Sequence, residues 1–302
     1  MKPLIKYRGG KSKEIPHIIK HIPKYSGRYI EPFLGGGALY FYLEPKSAII
    51  NDINSKLIDF YKGVKSNIDS LRIELDEIEK LYYKHRKDFE SLKKETPELR
   101  VQDNNEALYY EIRNMFNELA PKKYSDALLY FFINKTAYSG MIRYNAKGEF
   151  NVPYGRYANL NTSLVTEAHS KLLSNTEIYN LDYKHIFEMA EANDFMFLDP
   201  PYDCVFSDYG NKEHKDGFTE QNHIILAENY RKLKCKALMV IGRTPLTEEL
   251  YKDMIIGEYG KSYAVNIRNR FKSTATHILI SNYGNEAKKH YPEFDFRQHL
   301  AL

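Results

Sequence analysis

Phe195-Met196-Phe197-Leu198-Asp199-Pro200-Pro201-Tyr202 is the stretch on which the reading of this chain turns. Four apolar residues without period-2 alternation, stopped by two prolines that cannot continue a ladder, predict a fully buried strand and mark its C-terminal end. In open α/β sheets ligands bind beyond the carboxyl ends of the strands. Asp199 would therefore project into a crevice, with a rigid turn and an aromatic ring directly behind it.

Those four residues suit methyl transfer to an exocyclic amine. The lone pair of an aromatic NH2 is delocalised into its ring, so attack on an electrophilic methyl group requires the nitrogen to pyramidalise as charge develops. A carboxylate oxygen of Asp199 and the backbone carbonyl of Pro200 could each accept one amine hydrogen bond that strengthens toward the transition state. Pro201 stiffens the turn, and Tyr202 would stack on the flat base.

Toward the N-terminus, Arg28-Tyr29-Ile30-Glu31-Pro32-Phe33-Leu34-Gly35-Gly36-Gly37-Ala38-Leu39 reads as a short strand, a glycine turn and a helix over 38–43. This is the order of a nucleotide-binding crossover, although the spacing is not G-x-G-x-x-G. The glycines would let a cofactor lie against backbone. A second strand, Ser47 to Asn51, ends in Asp52, 15 residues beyond Gly37 and near where an acid would hold ribose hydroxyls. As a helix cap Asp52 would be ordinary; the glycine loop favours the ribose role. Lys6-Tyr7-Arg8-Gly9-Gly10-Lys11-Ser12-Lys13 is a basic Gly-Gly loop whose backbone can approach an anion, or a solvated end and no more.

Between Lys56 and Phe132 the apolar residues recur at helical spacing, with Pro97 and Gln102-Asp103-Asn104-Asn105 as breaks. The Tyr and Phe residues here read as core and the charge runs as solvated faces. Residues 134–157, NKTAYSGMIRYNAKGEFNVPYGRY, form a long Gly/Asn-rich loop with a hairpin signal at Asn145 to Gly148, and loops of this length inside a compact domain are usually functional. After it the sequence predicts a helix over 163–173, a strand over 178–183, a helix over 185–191, the central strand, and a polar 203–217 loop. A helix from a Thr219 cap to Leu233, a strand over 236–241 and a helix started by Thr244-Pro245 follow. Strands over 263–267 and 276–280 would flank a basic connection, and the tail from Glu286 reads as loosely held.

With 302 residues, 43% of them hydrophobic and 28% charged, the chain suits one large or two small globular domains. No apolar run is long enough to span a bilayer, and Met1 to Lys6 turns polar at once without a signal-peptide pattern, which predicts a cytoplasmic chain. The two cysteines, Cys204 and Cys235, lack metal-ligand spacing, so reduced thiols and no metal are expected. A net charge of +4 permits nucleic-acid binding without establishing it, but local charge is more telling. Residues 66–106 hold 11 acids against 8 Lys and Arg, whereas residues 134–161 hold 4 basic groups and one acid, interleaved with Tyr and Asn. Basic groups among aromatics on a loop are what a nucleic-acid surface requires.

Asp199 to Tyr202 resembles the DPPY motif of amino-group DNA methyltransferases. The order basic Gly-Gly loop, FLGGG, helical insert with YSGMIRYNAKGEFNVPYGRY, then DPPY, resembles the Dam-type (group alpha) DNA adenine N6-methyltransferases over most of residues 2–245. The resemblance implies a Rossmann-like α/β sheet that uses S-adenosylmethionine. It divides the chain into a catalytic domain, 1–58 and 163–302, and an inserted, mostly helical target-recognition domain, 59–162, carrying a β-hairpin loop. It places Tyr7, Lys11, Glu31, Phe33, Gly35, Gly37, Asp52, Asp182, Tyr183 and Asp199 at the cofactor, and Lys6, Tyr138, Ser139, Arg143, Pro153, Arg156 and Tyr157 at double-stranded DNA. Relatives often carry Trp at position 7, and some carry Asn at position 139, where Ser removes an amide able to pair with an orphaned base. The implied reaction is methylation of N6 of an adenine flipped out of duplex DNA, at a GATC-like site by family default, with a restriction endonuclease of the same site as a candidate partner. A cytosine-N4 or RNA amino-methyltransferase, or a non-catalytic DNA-binding relative, remains the alternative.

Overall fold

The computed structural model describes residues 1–202, 218–262 and 274–284. Its seven-stranded sheet has the order β3-β2-β1-β4-β5-β7-β6, built from β1 (Tyr29–Glu31), β2 (Ala48–Asn51), β3 (Thr176–Tyr179), β4 (Phe195–Leu198), β5 (Lys236–Gly242), β6 (Ile255–Ser262) and β7 (Thr274–Ser281). The first five strands run parallel, and β7 is antiparallel to both β5 and β6. This is a Rossmann-like α/β architecture. The order reverses at β1, flanked by β2 and β4, so the topological switch point lies between the carboxyl ends of β1 and β4.

The strands are apolar on both faces because both are covered. Tyr29, Ala48, Phe195, Phe197, Leu238 and Val240 point into one core. Their alternates Ile30, Ile49, Met196, Leu198, Ala237 and Met239 point into the other. The first core is closed by α2 (Ala38–Leu43), α3 (Ser55–Ser66), α4 (Ile68–Glu95), α5 (Asn104–Phe116), α6 (Asp126–Thr136) and α7 (Glu167–Ser174). The second is closed by α8 (Tyr183–Met189), α9 (Glu220–Arg231) and α10 (Pro245–Tyr251). A short α1 (Ile15–Ile18) follows the N-terminal loop.

Local chemistry sets the boundaries. Gly37 takes φ +63° as the N-cap of α2, a conformation that costs a Cβ-bearing residue more. Asn54 and Ser125 accept backbone N–H bonds at the starts of α3 and α6. Thr219 and Thr244 each close a capping box, the second with Pro245 following.

Three segments depart from the sequence reading. The strand expected over 178–183 is Thr176–Tyr179, and Asp182 is the N-cap of α8, its Oδ1 accepting from Lys184 N at 2.9 Å. Helix α7 starts at Glu167 rather than 163, because Asn161 folds 161–163 into a side-chain-closed turn with its Oδ1 accepting from Ser163 N at 2.9 Å. Strand β6 at Ile255–Ser262 precedes the strand expected over 263–267. The expected hairpin loop is tied by two isolated antiparallel bridges, Ala137 to Tyr154 and Tyr144 to Phe150. The readings at 203–217, 263–267, the basic connection, the tail from Glu286, and Cys204 lie outside the described residues.

Candidate active site

A cleft of about 900 Å³ opens over the switch point. All ten residues expected at the cofactor line it, together with Pro200 and Pro201. They converge because each lies at or just past the carboxyl end of a parallel strand, or on the N-terminal loop that crosses those ends.

The glycine loop is held by the acid behind it. Asp52 accepts from Gly35 N at 2.8 Å through Oδ2 and from Asn54 N at 2.9 Å through Oδ1. Gly35 has φ +49°, and a Cβ there would come within 2.7 Å of the Tyr7 ring. The glycines thus make room first for Tyr7, which lies on the loop and forms a cleft wall. Buried Asn51 ties the strand ends together, donating to Pro32 O at 2.9 Å and Leu181 O at 3.0 Å. Phe33 and Tyr183 give the cleft an aromatic side, their centroids 5.2 Å apart.

At the other end, the Lys11 ammonium donates to Asp199 Oδ2 at 2.6 Å and to Gly9 O at 2.9 Å. Burial raises the Asp199 carboxyl above the usual carboxylate range, and the Lys11 charge and hydrogen bond oppose it. Glu31, at the end of β1, is buried and accepts from Tyr29 OH at 2.7 Å. Its burial, with the Asp199 charge adding and the Tyr29 bond and Lys11 charge opposing, pushes it up to about 8. The Lys11 ammonium also lies 5.0 Å from the centroid of Tyr202.

Behind Tyr202 is a buried group of residues that sequence reasoning missed. Glu14 accepts from Tyr259 OH at 2.6 Å, pairs with His277 Nδ1 at 2.7 Å and is bonded by Lys261. Burial favours its neutral form, but the bond from His277, the charge of Lys11 and the bonds from Lys261 and Tyr259 bring it down to about 2. Among the described residues no group of three or more His, Cys, Asp or Glu could hold a metal ion. No helix is long and apolar enough to cross a membrane among them.

The residues expected at DNA lie together on the surface beside the cleft. Lys6, Tyr138, Ser139, Arg143, Pro153 and Arg156 are exposed and Tyr157 is half-buried. Tyr138 N bonds Pro153 O at 2.9 Å, and the Lys6 ammonium sits 4.4 Å from the Tyr157 centroid. Arg143 Nε donates to Asn151 Oδ1 at 2.9 Å, whereas Arg156 pairs with Glu106 at 3.7 Å. A second groove of about 640 Å³, lined by Lys6, Arg143 and Gly140, shares Tyr7 and Arg8 with the main cleft. Buried Asn134, also missed, clamps the N-terminal loop here: its amide accepts from Lys6 N at 2.8 Å and donates to Lys6 O at 2.7 Å.

A parallel sheet with this strand order and a glycine-loop cleft over its switch point is the scaffold of a Rossmann-like methyltransferase. Comparison with known proteins narrows the class. A family model of D12 class N6 adenine-specific DNA methyltransferases matches residues 7–267. The chain is 33% identical over 291 residues to the type II methyltransferase M.CviBI of Paramecium bursaria Chlorella virus NC1A, covering 94% of this chain and 100% of that protein. It is 34% identical over 310 residues to the type II methyltransferase M.MjaIII of Methanocaldococcus jannaschii, covering 94% and 99%. It is 28% identical over 279 residues to a DNA adenine methylase of Salmonella typhi, covering 89% and 88%. The chain belongs to the D12 class N6 adenine-specific DNA methyltransferase family and is an enzyme of adenine methylation in DNA.

Proposed function

We propose that the 900 Å³ cleft binds S-adenosylmethionine and that Asp199 to Tyr202 receive an adenine extruded from duplex DNA. The observation that carries this reading is the ion pair of buried Lys11 with half-buried Asp199 where the cleft meets the Pro200–Tyr202 turn. The cleft fits the cofactor chemically. Glu31, Asp52, Asp182 and Asp199 suit a ligand with an ammonium, a sulfonium and ribose hydroxyls, and Phe33 and Tyr183 suit an adenine ring. Asp52 fixes the loop through Gly35 N and Asn54 N and lines the cleft where ribose hydroxyls would lie. S-adenosylmethionine, when bound, supplies the electrophilic methyl group.

The chain's own work is to hold the amine. Lys11 occupies Oδ2 of Asp199, and its charge and hydrogen bond oppose the rise that burial gives the carboxyl. Oδ1 carries no hydrogen bond among the described residues, so it and the Pro200 carbonyl can accept the two amine hydrogens as the nitrogen pyramidalises. A stacked base cannot bring its amine to a cleft beyond the sheet, so the base leaves the duplex and stacks on Tyr202.

The DNA side is formed by α4 to α6 and the 137–157 loop, which act as the target-recognition part. Tyr138 wedges beside the extruded base, and Arg143 reads a base of a GATC-like site. The likeness to proteins named type II methyltransferases suits a cytoplasmic enzyme paired with an endonuclease of the same site. The test is to expose defined duplexes to the protein with labelled methyl donor and map the modified bases. N6-methyladenine at one recurrent site is expected, and its absence, or N4-methylcytosine instead, overturns the reading.

A further inference from the structure

The ring that would stack on the target base is supported from behind. His277, on β7, meets Tyr202 edge to face, with centroids 5.0 Å apart, planes at 88° and Nδ1 3.5 Å from the phenol oxygen. On another side, a Cβ placed on Gly242 would come 3.5 Å from the Tyr202 ring, so the backbone of β5 walls it there. The Lys11 ammonium lies 5.0 Å from the Tyr202 centroid.

His277 is itself held. It is fully buried, and its Nδ1 lies 2.7 Å from Oε2 of Glu14. An ionised carboxylate only accepts, so Nδ1 carries the proton and the imidazole tautomer and orientation are set by Glu14. Tyr259 and Lys261 bond the same carboxylate and fix its position. His17 stacks on Tyr259 at 4.6 Å with planes 6° apart, continuing the support to α1. A carboxylate taken out of water needs such a set of partners, and a network in which every member is satisfied gives one rigid arrangement. That arrangement ends on the ring of Tyr202.

We infer that His277, oriented by Glu14, is a positioning residue that holds Tyr202 in the attitude in which it stacks on the extruded base. The inference rests on Tyr202 being the stacking ring, as proposed above. Residues 14, 277 and 202 come from the N-terminal segment, the antiparallel edge of the sheet and the active-site turn, so the network ties three separate segments together. A base-stacking ring displaced by about 1 Å can cost about a hundred-fold in rate, so the support need not touch substrate to matter.

The test compares wild type, His277→Leu, His277→Asn and Glu14→Gln in the full chain. In the Asn variant, Nδ2 stands where Nδ1 of the imidazole stood and can still donate to Glu14. Four quantities are read: fluorescence of 2-aminopurine at the target position, kcat, affinity for S-adenosylhomocysteine and melting temperature. His277→Leu is expected to lose most of the fluorescence gain and about ten- to a hundred-fold in kcat, with affinity for S-adenosylhomocysteine changed less than about twofold. His277→Asn should recover much of both, and Glu14→Gln, the mildest change, should move them in the same direction as Leu by less. Full fluorescence gain and kcat in His277→Leu overturn the inference. So does a parallel loss of cofactor affinity, fluorescence and melting temperature in all three variants, which marks a residue that only holds the fold. If the wild type neither brightens 2-aminopurine nor methylates DNA, the proposed function fails first, and that outcome is visible without any variant.

Discussion

The Lys11 ammonium lies 2.6 Å from Oδ2 of Asp199, with only 4% of the lysine side chain exposed. A cation so little hydrated depends on its half-buried partner, and removing either one leaves the other at a cost. Asp199→Ala is expected to lower the methylation rate about a hundred- to a thousand-fold, the loss typical of one transition-state hydrogen-bond partner. Lys11→Ala takes away the charge that opposes burial, so the Asp199 carboxyl rises further. Its activity should be weakest at low pH and recover as pH rises, whereas Asp199→Ala should not recover. Initial rates across pH on one duplex check both.

Glu31 gives a pH prediction of its own. Its folded carboxyl stands at about 8 against an ordinary value of 4.5, chiefly through burial. A group raised on folding contributes stability that is complete below its unfolded value and lost as pH rises through its folded one. Wild type should therefore lose a few kcal/mol of stability between about pH 4.5 and 8 through this residue. Glu31→Gln should melt at a temperature that falls less across the same window. Thermal melts in a buffer series decide it, and parallel curves for the two proteins contradict the assignment.

Tyr202→Ala should weaken extrusion of the target base by about 1–3 kcal/mol, the value of one base–aromatic stack. The 2-aminopurine signal should fall with it while affinity for the cofactor, whose cleft does not include Tyr202, holds. A flat signal in wild type on a cognate site would show that the base does not enter this pocket.

Both the sheet and its cleft were legible because they rest on local pattern. An apolar run such as 195–198 needs cover on both faces, and the glycine turn into 38–43 can only be a strand-to-helix crossover. Residues at strand ends converge once the sheet is parallel, which is why the expected cofactor residues share one cleft. Strand β6 escaped because Gly257 and Gly260 break its apolar pattern. Asp182 was read as a strand end because a carboxylate that closes an Ile178-Tyr179-Asn180-Leu181 run looks the same as a helix cap. Glu14, Asn134 and His277 were illegible for another reason. Glu14 and His277 pair across 263 residues, and Asn134 clamps Lys6 across 128, so no periodicity records them. The glycine loop carried half its meaning: its bareness accommodates the Tyr7 ring as well as any ligand.

Asn134 is the clamp between the two faces of the site. Its amide makes both bonds to the Lys6 backbone, at 2.8 and 2.7 Å, and Lys6 precedes Tyr7, which lines both the cleft and the neighbouring groove. Asn134→Ala leaves two backbone groups partly desolvated, at about 1–3 kcal/mol. Stability should fall by that amount, and KM for DNA and for the cofactor should rise together because one loop serves both. Denaturant unfolding and two KM titrations test the coupling; a rise in only one KM contradicts it.

Arg143 is where the reading of sequence can be tested. It is exposed on the groove beside Lys6, and among the described residues its one side-chain hydrogen bond runs from Nε to Asn151 Oδ1 at 2.9 Å. That bond steadies the guanidinium while leaving both terminal nitrogens for O6 and N7 of a guanine, which they can grip in parallel. Arg156 differs, because it pairs with Glu106 at 3.7 Å and holds a left-handed backbone at φ 55°, an arrangement suited to a fixed charge near phosphate. Arg143→Ala should cost about 1–3 kcal/mol of discrimination at one base pair and little elsewhere. Arg156→Ala should weaken all sequences alike and lower the slope of binding against salt by roughly one. Methylation rates for wild type and both variants on a cognate duplex and its single-base changes separate the two roles, and a uniform loss for Arg143→Ala across the set rejects it as a reader.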